Sequence, residues 1–232
     1  MRFRLTGCLA TYILVGMLTA TKAHTKRVKA VRSRDPERTR QHLLQAAFQE
    51  MYKSGYQSAD LDAILGKAGV TKGALYHHFE NKEALGYAVI EEVITAMTRE
   101  KWLRPLENAR NPIDALIGIF ATAPLKMEDI RGGCPLNNLA QEMSSLHEGF
   151  RKRIAKGFAI WHDAIANGLR EGQKAKQVRH DIDPEETATF IMALYEGYVS
   201  LSKNSHDPKL MESGHNSLIR YLESLRETRT RK

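Results

Sequence analysis

The stretch that decides how this chain is read runs Gly69-Val70-Thr71-Lys72-Gly73-Ala74-Leu75-Tyr76-His77-His78-Phe79-Glu80-Asn81-Lys82-Glu83-Ala84-Leu85. Gly69 supplies the positive φ that a sharp turn between helices requires. Thr71 offers a hydroxyl to cap the helix that follows, and Leu75 and Phe79, at i and i+4, share its inward face. Before the turn, Leu61 to Ala68 reads as a short helix that Ser58 or Asp60 can cap, and Val70 can fill the space between the two. Two short helices across a glycine turn form a helix-turn-helix, a unit that places the N-terminal residues of its second helix against base edges in the major groove. Gly73 costs that helix about 1 kcal/mol of propensity against alanine, which makes sense where the backbone must come close to DNA.

Working outward, Leu43, Leu44, Ala47, Phe48, Met51 and Tyr52 form one apolar stripe of helical period, so a first helix starts near Glu37. Gly55 ends it at the C′ position. Downstream, Asn81 caps a fourth helix expected to run to about Leu103. The stretch Arg40 to Val93, and Gly69 to Leu85 within it, resembles the DNA-binding domain of the TetR/AcrR family of bacterial regulators. One departure is Leu65, four before the turn glycine, where many helix-turn-helix proteins carry a small residue.

The resemblance implies roles residue by residue. Thr71, Tyr76, His78 and Lys82 match positions that grip phosphates in that family. Lys72, Gly73 and His77 match positions that approach base edges or the neighbouring backbone. The chemistry agrees, since a helix N-terminus, a phenol, imidazoles and an ammonium all suit phosphate oxygens. Ser58, Arg38 and Arg40 add further expected phosphate contacts. Adjacent histidines on a helix point about 100° apart, so His77 and His78 do not make a chelating pair. No metal and no cofactor is expected.

The chain has 232 residues and a formal net charge of +8. Ten basic and two acidic residues fall in positions 1–40, which accounts for +8 and leaves 25 of each sign beyond. The basicity therefore belongs to the N-terminal arm, not to the chain at large. Arg2 and Arg4 followed by the apolar Leu5–Ala20 imitate a secretory signal, too short for a membrane span of roughly 20 residues. The expectation is translated upstream sequence, with the start at Met17 or at an alternative codon such as that of Val28 or Val31. Three segments follow: 1–34 as an extension with a basic arm, 35–83 as the helix-turn-helix domain, and 84–232 as a helical effector-binding and dimerisation domain.

No alternation of period two occurs, so the fold class is all-α. Breaks at Pro105, Pro112, Gly132-Gly133, Pro184 and Pro208 place helices near 112–126, 136–145, 149–175, 184–203 and 208–228. Gly133 to Met143 resembles one branch of the same family. Two late stripes, Ile191, Leu194, Tyr195, Tyr198 and Leu201, then Leu218, Tyr221, Leu222 and Leu225, are amphipathic faces. In the family the last two long helices pair with their symmetry mates, so the resemblance implies that these faces make a homodimer. Phe120, Met127, Trp161 and Phe190 are expected to line an effector pocket, with Asn137, Gln141 and His162 supplying polar contacts. Cys134 stands at a helix start beside Arg131, a setting expected to lower a thiol pKa and to permit redox or electrophile sensing.

The sequence offers no Ser/His/Asp order and no Gly-rich phosphate loop, so an enzyme is not expected. The resemblance implies a cytoplasmic regulator, most often a repressor. It would bind a palindromic double-stranded operator as a homodimer and answer a small-molecule effector, without membrane attachment. Effector binding would move the helix after Asn81 and misfit the two recognition helices. A repressor acting through Cys134 and an exported helical binding protein are the alternatives.

Overall fold

A computed structural model describes residues 35–122 and 126–227; residues 1–34, with the signal or start-site question, lie outside the described residues. The chain divides into two compact units, at Val89/Ile90.

In the first unit, α1 (Pro36–Ser54) begins where the Asp35 carboxylate accepts the Arg38 backbone N–H, with proline in the first turn, and ends at Gly55. Its buried face is Leu43, Leu44, Ala47, Phe48 and Met51, the expected stripe save Tyr52, which is half-buried, and it is widened by Ala46 and by Glu50. Glu50 accepts from Lys67 Nζ at 2.6 Å, tying α1 to α2 (Leu61–Ala68). Asp60, not Ser58, caps α2 by accepting the Asp62 N–H. Gly69 closes α2 in the left-handed region, φ 66°. Thr71 Oγ1 then accepts the Ala74 N–H at the start of α3 (Lys72–His78), and Asn81 caps α4 (Lys82–Ala88). Leu75, Phe79 and Leu85 join Leu43, Phe48 and Ile64 in one dry core.

Beyond α4 the backbone stays helical through a π-helical turn Val89–Ile94, α5 (Thr95–Thr98), a second π-helical turn Arg99–Leu103 and α6 (Arg104–Glu107). The break expected at Pro105 is absent. Its ring falls in the first turn after a π-helical segment, where the missing N–H disturbs the ladder least.

The second unit continues with α7 (Pro112–Ala121), α8 (Met127–Gly132), α9 (Pro135–Met143), α10 (Glu148–Lys174), α11 (Pro184–Ser205) and α12 (Pro208–Ser224). The helix expected over 112–126 stops at Ala121, and α8 is an extra helix without a side-chain cap. The last helix closes at Ser224, short of the expected 228. α11 packs along both α10 and α12. An isolated bridge between Val178 and Arg226 is the sole β pairing among the described residues. No helix of the described residues is long and apolar enough to cross a membrane.

The second core gathers Trp102, Ile113, Leu116, Phe120, Ile130, Trp161, Ile165, Leu169, Ile191, Leu218 and Leu222. Gly214 marks its tightest crossing, because a Cβ there would stand 2.3 Å from Tyr198 Cγ. Gly214→Ala is expected to destabilise the unit by about 1–3 kcal/mol through overpacking. That loss outweighs the roughly 1 kcal/mol that alanine gains in helix propensity. A thermal melt in which the variant matches or exceeds the parent would refute the contact.

Candidate functional site

The first unit presents α3 as an exposed helix held by one side. Leu75 is its only buried residue, with Phe79 just beyond its end. Thr71, Lys72, Gly73, Tyr76 and His77 are all exposed, so the structure brings the expected base-edge and phosphate residues onto one solvent face. Tyr76 is 46% exposed, unusual for so large a ring. A Cβ on Gly73 would meet nothing nearer than Thr71 Oγ1 at 3.9 Å, so packing within the protein does not call for glycine there.

Other residues of the expected set are partly engaged within the protein. Lys82 donates to the Gln57 carbonyl at 2.9 Å and its ammonium lies 5.2 Å from the Tyr56 ring centroid. An ammonium has three donors, so this contact positions Lys82 and leaves two. Arg40 is half-buried with its guanidinium over the Phe79 ring, whereas Arg38 and Ser58 are exposed. His78 is half-buried, and burial, then the neighbouring His77 and Arg40, push its pKa down and favour the neutral ring.

In the second unit the expected effector residues separate into two groups. Phe120 and Trp161 are buried together around Trp102, whose ring stands 4.4 Å from Trp161 and 5.6 Å from Phe120. Cys134 and Asn137 flank Glu196, and Asn137 also donates to Ser200 Oγ. Met127, Gln141 and Phe190 are exposed instead. His162 sits at the surface, its Nε2 within 3.1 Å of the Glu185 carbonyl and of Thr189 Oγ1. Met127, Gln141 and Phe190 face outward and His162 is half-buried, because α8, α9, α10 and α11 turn other residues to the core.

The expected dimer set also needs correction. Ile191, Tyr198, Leu218, Leu222 and Leu225 are buried in the core of their own unit, and Leu194, Tyr195 and Tyr221 pack against that core. Leu201 alone of the set is strongly exposed, at 60%, and it was the last member of its stripe. The free face of α11 carries Phe190, Ala193, Gly197 and Leu201, all exposed and three to four residues apart. Phe190 rests on Tyr221 of α12, ring centroids 4.8 Å apart.

The thiol expectation reverses as well. Burial, then the charge of Glu196, pushes the Cys134 thiol well above the usual thiol range, outweighing the helix start. Sequence reasoning missed Lys101, Trp102, Glu196 and His215. The Lys101 ammonium donates to Tyr195 Oη at 2.6 Å and lies 4.5 and 5.0 Å from the Tyr195 and Trp102 ring centroids. His215 stacks edge-on to Tyr198, and burial, then Lys101, bring its pKa down to about 4.

Two family models match the chain in turn. One, described as bacterial regulatory proteins of the tetR family, covers residues 43–89, and the other, the tetracyclin repressor-like C-terminal domain, covers residues 112–218. The chain belongs to the TetR family. Among relatives of this family it is 30% identical to the HTH-type transcriptional repressor DhaR of Mycobacterium sp. strain GP1 over 161 residues, 69% of this chain and 80% of that one. It is likewise 30% identical to the transcriptional regulator AcuR of Cereibacter sphaeroides over 182 residues, 77% of this chain and 83% of that one. A solved regulatory protein TetR from Rhodobacter sphaeroides superposes with a TM-score of 0.69 at 29% identity, covering 79% of this chain and 98% of that one. The protein is accordingly a DNA-binding transcriptional regulator of the ligand-responsive TetR type, with a regulatory and not a catalytic family background.

Two outcomes follow from this geometry. Gly73→Ala is expected to raise the melting midpoint, by up to about 1 kcal/mol in stability, while weakening DNA binding in a gel shift. Unchanged DNA binding would remove Gly73 from the interface. For His215, an unfolded-state pKa near 6.5 and a folded one of about 4 mean that the unfolded chain takes up the proton first. Stability is therefore full above the unfolded pKa and is lost as pH falls towards the folded one, by about 1–3 kcal/mol. Urea titrations at about pH 7 and about pH 4.5 measure that loss, and His215→Gln should shrink it; an equal loss in the variant would assign it to other groups.

Proposed function

We propose that this regulator is a repressor that binds a palindromic operator as a homodimer in the cytoplasm and is released by a small-molecule effector held in the 90–227 unit. The observation that carries the DNA-side reading is the exposed face of α3, where Lys72, Gly73, Tyr76 and His77 stand out and Gly73 has no packing reason to be glycine. Thr71, Tyr76, His78 and Lys82, with Arg38, Arg40 and Ser58 around them, supply the phosphate contacts. Lys72, Gly73 and His77 read base edges.

The second copy pairs through the outer face of α11, not through the stripe expected from sequence. Phe190, Ala193, Gly197 and Leu201 form an apolar ridge with small residues between two large ones, which lets a like helix approach closely. A two-fold pair presents two recognition helices to half-sites about one helical turn apart. The effector acts by binding one arrangement of the pair more tightly than the other, and that difference is all the free energy release requires. The helical backbone from Lys82 to Glu107 is the covalent route between effector unit and reading head.

The test is a gel shift and footprint on the DNA upstream of the gene. A protected palindrome, bound with an affinity that falls steeply with salt, is the expected result. Leu201→Glu should yield a folded monomer by light scattering and lose operator binding. No complex at low salt would sink the reading, and a dimeric Leu201→Glu variant would move the interface elsewhere.

A further inference from the structure

The core of the 90–227 unit contains polar groups that its own packing leaves unmatched. Both carboxylate oxygens of Glu196 are buried and accept no hydrogen bond of good geometry, although the Cys134 thiol and the Asn137 amide lie beside them. Trp161 Nε1 and Tyr198 Oη are buried on the same aromatic cluster and are equally unmatched. Buried polar atoms are almost always paired, because an unpaired one forfeits its hydration without compensation. Three such groups on neighbouring rings are therefore a feature to explain.

The cation within reach does not resolve it. Lys101 lowers the pKa of Glu196 from a distance, while burial, the larger effect, raises it. Yet the Lys101 ammonium is held by the Tyr195 hydroxyl and by two ring faces. Glu196 lies on α11 directly after Tyr195, so the two opposite charges share one neighbourhood without meeting. Trp161, Trp102 and Tyr195 pack on one another beside Lys101, with centroids 4.4 to 5.4 Å apart.

We infer that Glu196 anchors the effector, and that the effector is a small amine that also carries an oxygen acceptor, with its carbon skeleton among these rings. The nitrogen donates to Glu196, and the oxygen receives the indole N–H of Trp161 and the hydroxyl of Tyr198. Other classes leave groups unmatched. A carboxylate without an amine meets the Glu196 charge head-on. A hydrocarbon leaves all three polar groups as they are. An organic cation without oxygen answers Glu196 alone and leaves Trp161 Nε1 and Tyr198 Oη unmatched. Aromatic faces add cation–π attraction to the nitrogen end.

This assignment rests on the effector-responsive reading above, so the experiment separates the two. Trp102 and Trp161 are the only tryptophans of the chain, and both stand in this cluster, so their emission reports it directly. The full chain is titrated with 2-amino-1-phenylethanol, with 2-phenylethylamine and with phenylacetate. The amino alcohol should change the emission saturably, the plain amine should bind about tenfold more weakly, and phenylacetate should not bind. Glu196→Gln should weaken the amino alcohol at least about tenfold with little change in melting midpoint, since an amide of the same shape can stand beside Cys134 and Asn137 in place of the carboxylate. If that variant does not fold, Trp161→Phe decides, read through Trp102, by reducing the preference for the amino alcohol over the amine, the Tyr198 hydroxyl being left as the one donor to its oxygen. Equal binding of phenylacetate, undiminished binding by Glu196→Gln, an undiminished preference in Trp161→Phe, or no response to any probe at millimolar concentration would each overturn the assignment. Gel shifts on the same wild-type protein keep the readings apart: operator binding without any amine response overturns only the effector class, whereas absent operator binding overturns the regulator reading itself.

Discussion

Everything that α3 does depends on the burial of Leu75. A helix of seven residues is too short to hold itself together in water, so its stability must come from the surface it packs on. Leu75, with Phe79 just after it, supplies that surface contact, and the Gly69 turn and the Thr71 cap determine the angle of entry. Because one leucine suffices on the inner side, the outer side is unconstrained by folding. Lys72, Gly73, Tyr76 and His77 are therefore not fixed by packing within the protein. A larger buried face would have drawn Tyr76 or His77 into the core and left less to read with.

The second unit follows the opposite logic. Its core is crowded with groups that prefer water: an ammonium against two rings, a neutral histidine, a tyrosine hydroxyl and an unmatched carboxylate. Such a core is less stable than a purely aliphatic one of equal volume. The two π-helical turns before it, one of which carries Lys101 and Trp102, are a similar departure from the most stable backbone. Stability given up in one region, while the Leu43–Phe48–Ile64 core stays apolar, is the pattern of a molecule whose sensing part must respond and whose reading part must not.

How far the sequence discloses this differs sharply between the units. Around α2 and α3 each boundary has its own chemical marker, Asp60, Gly69, Thr71 and Asn81, so local residues alone locate the elements. α8 has no side-chain cap and only six residues, and nothing local announces it. The stripes on α11 and α12 show that a face is covered, but spacing is silent about what covers it; here the cover is the chain's own core. Glu196 reads as a solvent-facing glutamate, and its surroundings include Cys134, Asn137 and Lys101, residues distant along the chain. Cys134 does stand at a helix start, yet the reactivity of a thiol is decided by desolvation, which only the packed structure reveals.

The contact of Gly214 with the Tyr198 ring bears on how copies of this chain recognise one another. With no room for even a methyl group between them, α11 and α12 form a single stiff slab. An apolar ridge mounted on such a slab has a fixed curvature and a fixed spacing of its large residues. A second copy docking there, as proposed, has to match that relief. Under the pairing proposed above, such stiffness narrows the range of surfaces that fit the ridge.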